Sequence, residues 1–229
     1  MNIPKKIAFI HIARTAGGSI LVNIQPFLAK KNYKIFNSWK TMNRDWNQKE
    51  LLSFIDENQA FVHNHSFNWN RKTFYKYKKN EWFTFAFVRH PGDRLCSEYF
   101  YFHSKNPTFN LDKFIKHKLL KSNKNKIPNY WKDIDFIEEY TQENIIKFLK
   151  NYLHIDKKLK IIKKSENKGY EHYYKTNQIS KDAQILIKNS KEYLIYLKIT
   201  GKNKQEYYLL RSKKLFQKFF DFIFPKKPL

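Results

Sequence analysis

Two short apolar runs, each broken by glycine or proline and followed at once by helical spacing, constrain this chain more than any other feature. "KIAFIHI" at residues 6–12 passes through "ARTAGG" into "SILVNIQPFLAKK", and "EWFTFAFV" at 81–88 passes through "RHPG" into "DRLCSEYFYFHS". Runs this short, rich in Ile, Val and Phe, read as strands buried on both faces. Strand, tight loop and helix in succession imply a parallel sheet, because parallel neighbours need a crossover that a helix supplies.

The same alternation continues. "QAFVHNH" at 59–65 reads as a buried strand and "IDFIEEY" at 134–140 as a fourth, followed by the helix "TQENIIKFLKNYL". Short amphipathic helices are expected over 50–57 and 110–121, and one long helix over 179–199, with Ser180 as its N-cap. Pro26 is expected to bend or end the first helix near Gln25. The expected fold class is α/β: a single domain over 1–229 with a central parallel β-sheet flanked by helices, its core at about 5–200. Residues 203–229, basic and aromatic, read as an added C-terminal helix; the alternative reading lays that helix on an anionic membrane surface.

Each loop is an anion site in outline, since the first N–H groups of a helix point at whatever sits beyond its N-terminus. In the first loop Gly17 and Gly18 permit close approach of the backbone, Arg14 adds a cationic fork, and Thr15 and Ser19 add hydroxyls. The usual ATP or GTP loop, G-x-x-x-x-G-K-[ST], is not met, because no Lys precedes Ser19 and no Gly opens the loop. The second loop brings Arg89, Arg94 and Ser97 at fixed offsets from Pro91. Taken singly, Arg89 or Arg94 would read as a solvated helix end paired with Asp93 or Glu98.

The net charge of +25, from 45 Lys and Arg against 20 Asp and Glu, favours an anionic partner, although the lysines are scattered rather than clustered. One cysteine, Cys96, excludes an internal disulfide and fits a reducing compartment. No apolar stretch at the N-terminus is long enough for a signal anchor, so a cytoplasmic location is expected.

"FIHIARTAGGS" at 9–19 together with "FVRHPGDRLCSEYF" at 87–100 resembles the paired cofactor motifs of sulfotransferases that use 3′-phosphoadenosine 5′-phosphosulfate (PAPS), in particular the branch acting on carbohydrates. The resemblance implies a P-loop-NTPase-like sulfotransferase fold. It implies that Arg14, Thr15, Ala16, Gly17, Gly18 and Ser19 cradle the 5′-phosphosulfate, and that Arg89 and Ser97 bind the 3′-phosphate. Ala13 stands where the family usually has Pro, and Arg14 where it usually has Lys; the tyrosine-sulfating relatives also carry Arg there. Arg keeps the charge needed beside the transferred sulfate.

Transfer to a hydroxyl needs a group to accept a proton, and "FVHNHSF" supplies two histidines, His63 and His65, spaced to share one strand face. The segment is similar to a His-x-His in the heparan 2-O-sulfotransferase branch, which implies His65 as base and His63 as its helper. Glu98 is a lesser candidate, and His11 and His90 read as structural. No metal is expected, because no Cys, Asp or Glu lies near the pair and the family chemistry uses none.

The implied reaction moves a sulfuryl group from PAPS to a carbohydrate hydroxyl, leaving 3′-phosphoadenosine 5′-phosphate (PAP). "FNWNRKTFYKYKK" at 67–79 would suit an acidic glycan flanked by stacking rings, or be a basic surface loop. Two other classes stay open. A phosphotransferase with an atypical loop would need Mg²⁺ carboxylates, and no apolar run ending in Asp provides them. A non-catalytic nucleic-acid-binding protein would bind with steep salt dependence.

Overall fold

In the computed structural model, residues 2–15, 17–37, 48–66, 69–103, 110–121, 127–156, 159–160, 169–203 and 205–209 are described. The apolar runs become strands β1 (Lys6–His11), β3 (Ala60–His65), β4 (Phe83–Val88) and β5 (Phe136–Glu139), joined by β2 (Lys34–Asn37) at the edge. All pairings are parallel, in the order β2-β3-β1-β4-β5. β2 was not expected from the sequence: its four residues hold only two apolar side chains, and its register, Ile35 opposite Phe61, is imposed by β3.

Helices α1 (Gly17–Lys30) and α6 (Gln142–Leu153) cover one face of the sheet, while α2 (Gln48–Ser53), α3 (Arg71–Lys79) and α9 (Lys191–Thr200) cover the other. The odd residues of β1, Ile7 and Phe9, pack with Ile20, Ile24 and Phe148 on the first face; Ala8 and Ile10 pack with Phe74, Trp82 and Tyr196 on the second. Burial on both sides explains why these strands read as unbroken apolar runs. A third cluster joins α4 (Pro91–His103), α5 (Leu111–Lys121), α7 (Tyr170–Lys175) and α8 (Lys181–Asn189). Among the described residues no helix is long and apolar enough to cross a membrane.

Three local expectations are corrected, the first only in its alternative that Pro26 ends the helix near Gln25. α1 runs through Pro26 to Lys30, because Leu28 is fully buried and its carbonyl accepts from Tyr33 N at 3.0 Å, which holds the last turn in place. The long helix over 179–199 is two helices: Ser190 adopts an extended backbone, ends α8 and caps α9 by accepting from Tyr193 N at 3.1 Å. Most of 67–79 is neither loop nor ring platform. Asn70 caps α3 through Thr73 N at 2.8 Å, and Trp69, Phe74 and Tyr77 are core residues. Ser180 does cap α8, accepting from Ala183 N at 3.2 Å. A helical turn occupies 205–209, and the rest of the expected C-terminal helix, 210–229, lies outside the described residues.

A buried ion network locks α4 in place. Arg94 donates from Nε and Nη2 to Glu192 on α9 at 2.9 and 3.0 Å and from Nη1 to Glu98 at 3.1 Å, while Lys118 on α5 reaches Glu98 at 2.7 Å. Arg94 is 3% exposed, so it is no solvated helix-end residue. Removing one partner leaves a desolvated charge, and Glu192→Ala is expected to lower stability by about 3–5 kcal/mol. A urea midpoint that falls at unchanged slope would report this, and an unchanged midpoint would show the pair to be dispensable.

Candidate functional site

The chain leaves β1 toward β2 and β4 toward β5, so the switch point falls between the carboxyl ends of β1 and β4, where open parallel sheets bind ligands. Both loops of interest emerge there. After β1, Thr15 closes the turn by donating from Oγ1 to Ile12 O at 2.6 Å and from N to the same carbonyl at 3.3 Å. Arg14 sits at φ 67°, a left-handed backbone that non-glycine residues adopt mainly where surroundings enforce it.

α1 then begins at Gly17, over whose Cα lies the imidazole of His11. A Cβ there would stand 2.2–2.6 Å from three ring atoms, so only glycine fits. Gly17, Gly18 and Ser19 open α1, at the end of a helix whose N–H groups favour an anion, and no acidic residue stands in the first turn. Asn23 fastens α1 to residue 160: its amide donates to Lys160 O at 2.9 Å and accepts from Lys160 N at 3.1 Å. Ala16 lies outside the described residues.

After β4, Pro91 occupies the first position of α4, where its missing N–H costs nothing. Gly92 is pressed against the ring of Tyr170, 2.6 Å from where a Cβ would stand, and Asp93 accepts from Tyr170 N at 2.7 Å. This seats α7 on the start of α4. His90, expected to be structural, is surrounded by the rings of Tyr170, Tyr193 and Tyr196.

The loop after β1 reaches α4 through one side chain. Arg14 donates from Nε and Nη2 to Ser97 Oγ at 3.3 and 3.2 Å, across 83 residues of sequence, and its guanidinium lies 4.2 Å from the centre of the Tyr101 ring. Arg89 lies over the Tyr140 ring at 5.9 Å. Burial lowers the pKa of Arg14 and the nearby charge of Arg89 adds to this, against the opposing influence of Tyr101 and Glu98. Among the described residues neither Arg14 nor Arg89 has an acidic ion-pair partner, in contrast to Arg94. Two arginines close enough to repel each other, neither ion-paired among the described residues and set beside the start of a helix, could hold an anion.

His63 and His65 reach the same end of the sheet from β3, and His11 joins them from β1. Nε2 of His63 lies 3.1 Å from Nδ1 of His11, the His11 and His65 rings stack with centroids 4.6 Å apart, and those of His63 and His65 are 6.1 Å apart. His63 is fully buried, whereas His65 keeps part of its surface. Burial pushes His63 down from 6.5 to about 3, with His65 adding to it. Burial also lowers His65, and it holds His11 well below the ordinary value, with His63, His65 and Arg14 contributing. The participation of His11 was missed in the sequence, because proximity across strands leaves no mark in spacing. Glu98, the lesser base candidate, has both oxygens engaged by Arg94 and Lys118. Among the described residues no group of three or more His, Cys, Asp or Glu is arranged to hold a metal ion.

The lowered histidines fix a pH dependence. A ring whose pKa is lower folded than unfolded binds fewer protons when folded, so its contribution is complete above about 6.5 and is lost as pH falls toward the folded value. For His63, between 6.5 and about 3, this amounts to about 2 kcal/mol at pH 5. The melting temperature should drop between pH 7 and pH 5, and less so in His63→Asn. Equal drops in the two proteins would contradict the buried neutral ring.

A model of the sulfotransferase family matches residues 1–191. No curated protein matches the chain. The matched span takes in the loop after β1, the histidines of β3, the loop after β4 and the helix that carries Ser97, all the parts of the candidate site; the chain belongs to the sulfotransferase family, whose members pass sulfuryl groups to an acceptor.

Proposed function

We propose that this protein is a single-domain, PAPS-dependent O-sulfotransferase that acts on a hydroxyl of an acidic carbohydrate, with His65 as general base. The observation that carries the reading is the Arg14–Ser97 hydrogen bond, which brings the two cofactor motifs of the sequence together, with Arg89 close by and without an acidic partner among the described residues. A dense polyanion fits this setting: two arginines without an ion-pair partner among the described residues, a glycine that admits the backbone, and a helix start free of acidic residues.

PAPS, when bound, supplies an activated sulfuryl group on a phosphate leaving group. Arg14 and the N–H groups of Gly17, Gly18 and Ser19 would hold its 5′ end, with Thr15 and Ala16 shaping the turn. Arg89 and Ser97 would hold the 3′-phosphate; Ser97 Oγ accepts from Arg14, which leaves its own O–H available to donate. His65 takes the proton of the acceptor hydroxyl, and His63, more deeply buried, supports it. Arg14 stabilises the negative charge that develops beside it, in a partly desolvated setting where such interactions are strong.

An acidic acceptor is supported by charge rather than by stacking rings. Lys72, Lys76 and Lys79 line one exposed face of α3, the helix that follows the histidine strand, and none has an acidic partner among the described residues. Burial pushes the only thiol, Cys96, up to about 12, a setting for an inert cysteine. The direct test is transfer of label from [³⁵S]PAPS to desulfated heparin. Label on the polysaccharide supports the reading, and transfer of phosphate from ATP instead would overturn it.

A further inference from the structure

His11 ends the central strand in the register that sets its Cα opposite that of His65. Its imidazole meets three parts of the site at once. One face stacks on His65 with the ring planes 29° apart, Nδ1 faces His63 at 3.1 Å, and the ring fills the space that a Cβ on Gly17 would occupy. Phe9 lies next along the same strand face, its centroid 5.4 Å from that of His11. A second phenylalanine would fill the volume without a cost that the imidazole bears: Nε2 of His11 is buried with no hydrogen-bond partner among the described residues.

We propose that His11 is a positioning residue, wedged between the anion loop and His65, that sets the base at a fixed place relative to the loop and keeps it uncharged before turnover. The inference rests on the reading of His65 as base. A single proton lies between Nδ1 of His11 and Nε2 of His63, since a second would turn two N–H groups toward each other, so the two rings are never charged together, and the burial of each favours its neutral form. Among the described residues His11 from β1 and His63 from β3 face His65, and neither ring, while neutral, carries a charge that would favour a protonated His65; Arg14, which faces His11 from the loop, opposes a positive charge on His11. Because the same ring rests on Gly17, the loop and the base share one spacer. Misplacement by about 1 Å can cost about a hundredfold in rate, which gives such a spacer its purpose.

Two variants separate its contacts. His11→Asn keeps a group able to bond His63 in place of Nδ1 but removes the stacked ring, and His11→Phe keeps the ring but removes the bond. With [³⁵S]PAPS and desulfated heparin, each folded variant is expected to keep its KM for PAPS within about threefold and to lose about 10- to 100-fold in kcat. In His11→Asn the acid limb of kcat against pH should move up, as water reaches His65. In a His65→Ala background, His11→Asn should cause no further loss. A folded His11→Asn protein with the wild-type kcat and acid limb overturns the proposal, whatever its melting temperature.

Wild-type protein labelled with ¹⁵N-histidine gives an answer that needs no variant. His11 and His63 should stay neutral, as complementary tautomers, from pH 8 to pH 5 with PAP present or absent, and a charged His11 in that range overturns the proposal. Absence of sulfuryl transfer by the wild-type protein would instead count against His65 as base, and the ring-nitrogen signals would still decide the role of His11.

Discussion

Replacing His65 with alanine is expected to lower kcat by about 10²–10⁴-fold, the usual contribution of a positioned general base. Affinity for PAP should stay within a few-fold, because Arg14, Arg89 and Ser97 remain. The size of the effect follows from the setting. Burial lowers His65, so the ring is neutral and able to accept a proton near pH 7, while its partial exposure leaves it within reach of an acceptor hydroxyl. His63 cannot substitute, being fully buried and facing His11. Loss of the ring also removes the stacking partner of His11, so the control is stabilisation by PAP: a variant that binds PAP but does not turn over has lost chemistry, not structure. Undiminished kcat would remove His65 from the mechanism.

The second large effect concerns the nucleotide. Arg89→Ala is expected to weaken PAP binding by about 1.5–3 kcal/mol, or about 10- to 150-fold, the range for hydrogen bonds to charged groups. Arg89→Lys should recover only part of this, since an ammonium cannot repeat a two-pronged contact with phosphate. Stability without ligand should hardly change or even rise, because Arg89 has no acidic partner among the described residues and its charge opposes that of Arg14. Arg94→Ala is the informative contrast. Arg94 is consumed by Glu192 and Glu98, so its loss should destabilise the fold and leave an intact fraction with nearly normal affinity. Equal affinity in Arg89→Ala and the wild type would show that the loop after β4 does not grip the cofactor.

These two arginines illustrate what the sequence can and cannot disclose. Their offsets from Pro91 were legible, and so was a strand, loop and helix around each motif, because buried parallel strands are written as unbroken apolar runs. That Arg94 is structural and Arg89 open was not, since Glu192 lies 98 residues away and reaches Arg94 only after α9 folds against α4. His11 was hidden for the same reason: its bond to His63 spans 52 residues and depends on the register of β1 with β3.

Local misreadings have a different cause. Ser190 sits inside a run whose apolar spacing suits one helix, and only its side-chain capping of Tyr193 N shows that the backbone turns there. β2 carried too few apolar residues to register, and depends on β3 for its hydrogen bonds. In α3 the alternation of Lys with Tyr and Phe concealed a helix whose aromatic side, Phe74 and Tyr77, is buried while Lys72, Lys76 and Lys79 face solvent. The error mattered for function, because it offered core rings as a platform for the acceptor.

Thermal stability in the presence of PAP, of ATP with Mg²⁺, and of single-stranded DNA tests the central claim, that the paired loops form a site for a 3′-phosphorylated nucleotide. A ligand at a hundred times its Kd stabilises by about 2.7 kcal/mol, a readily measured shift. The account predicts a large shift with PAP, a small one with ATP and Mg²⁺, and loss of the PAP response in Arg89→Ala. Equal shifts with PAP and ATP, or a response to DNA alone that vanishes with added salt, would contradict it.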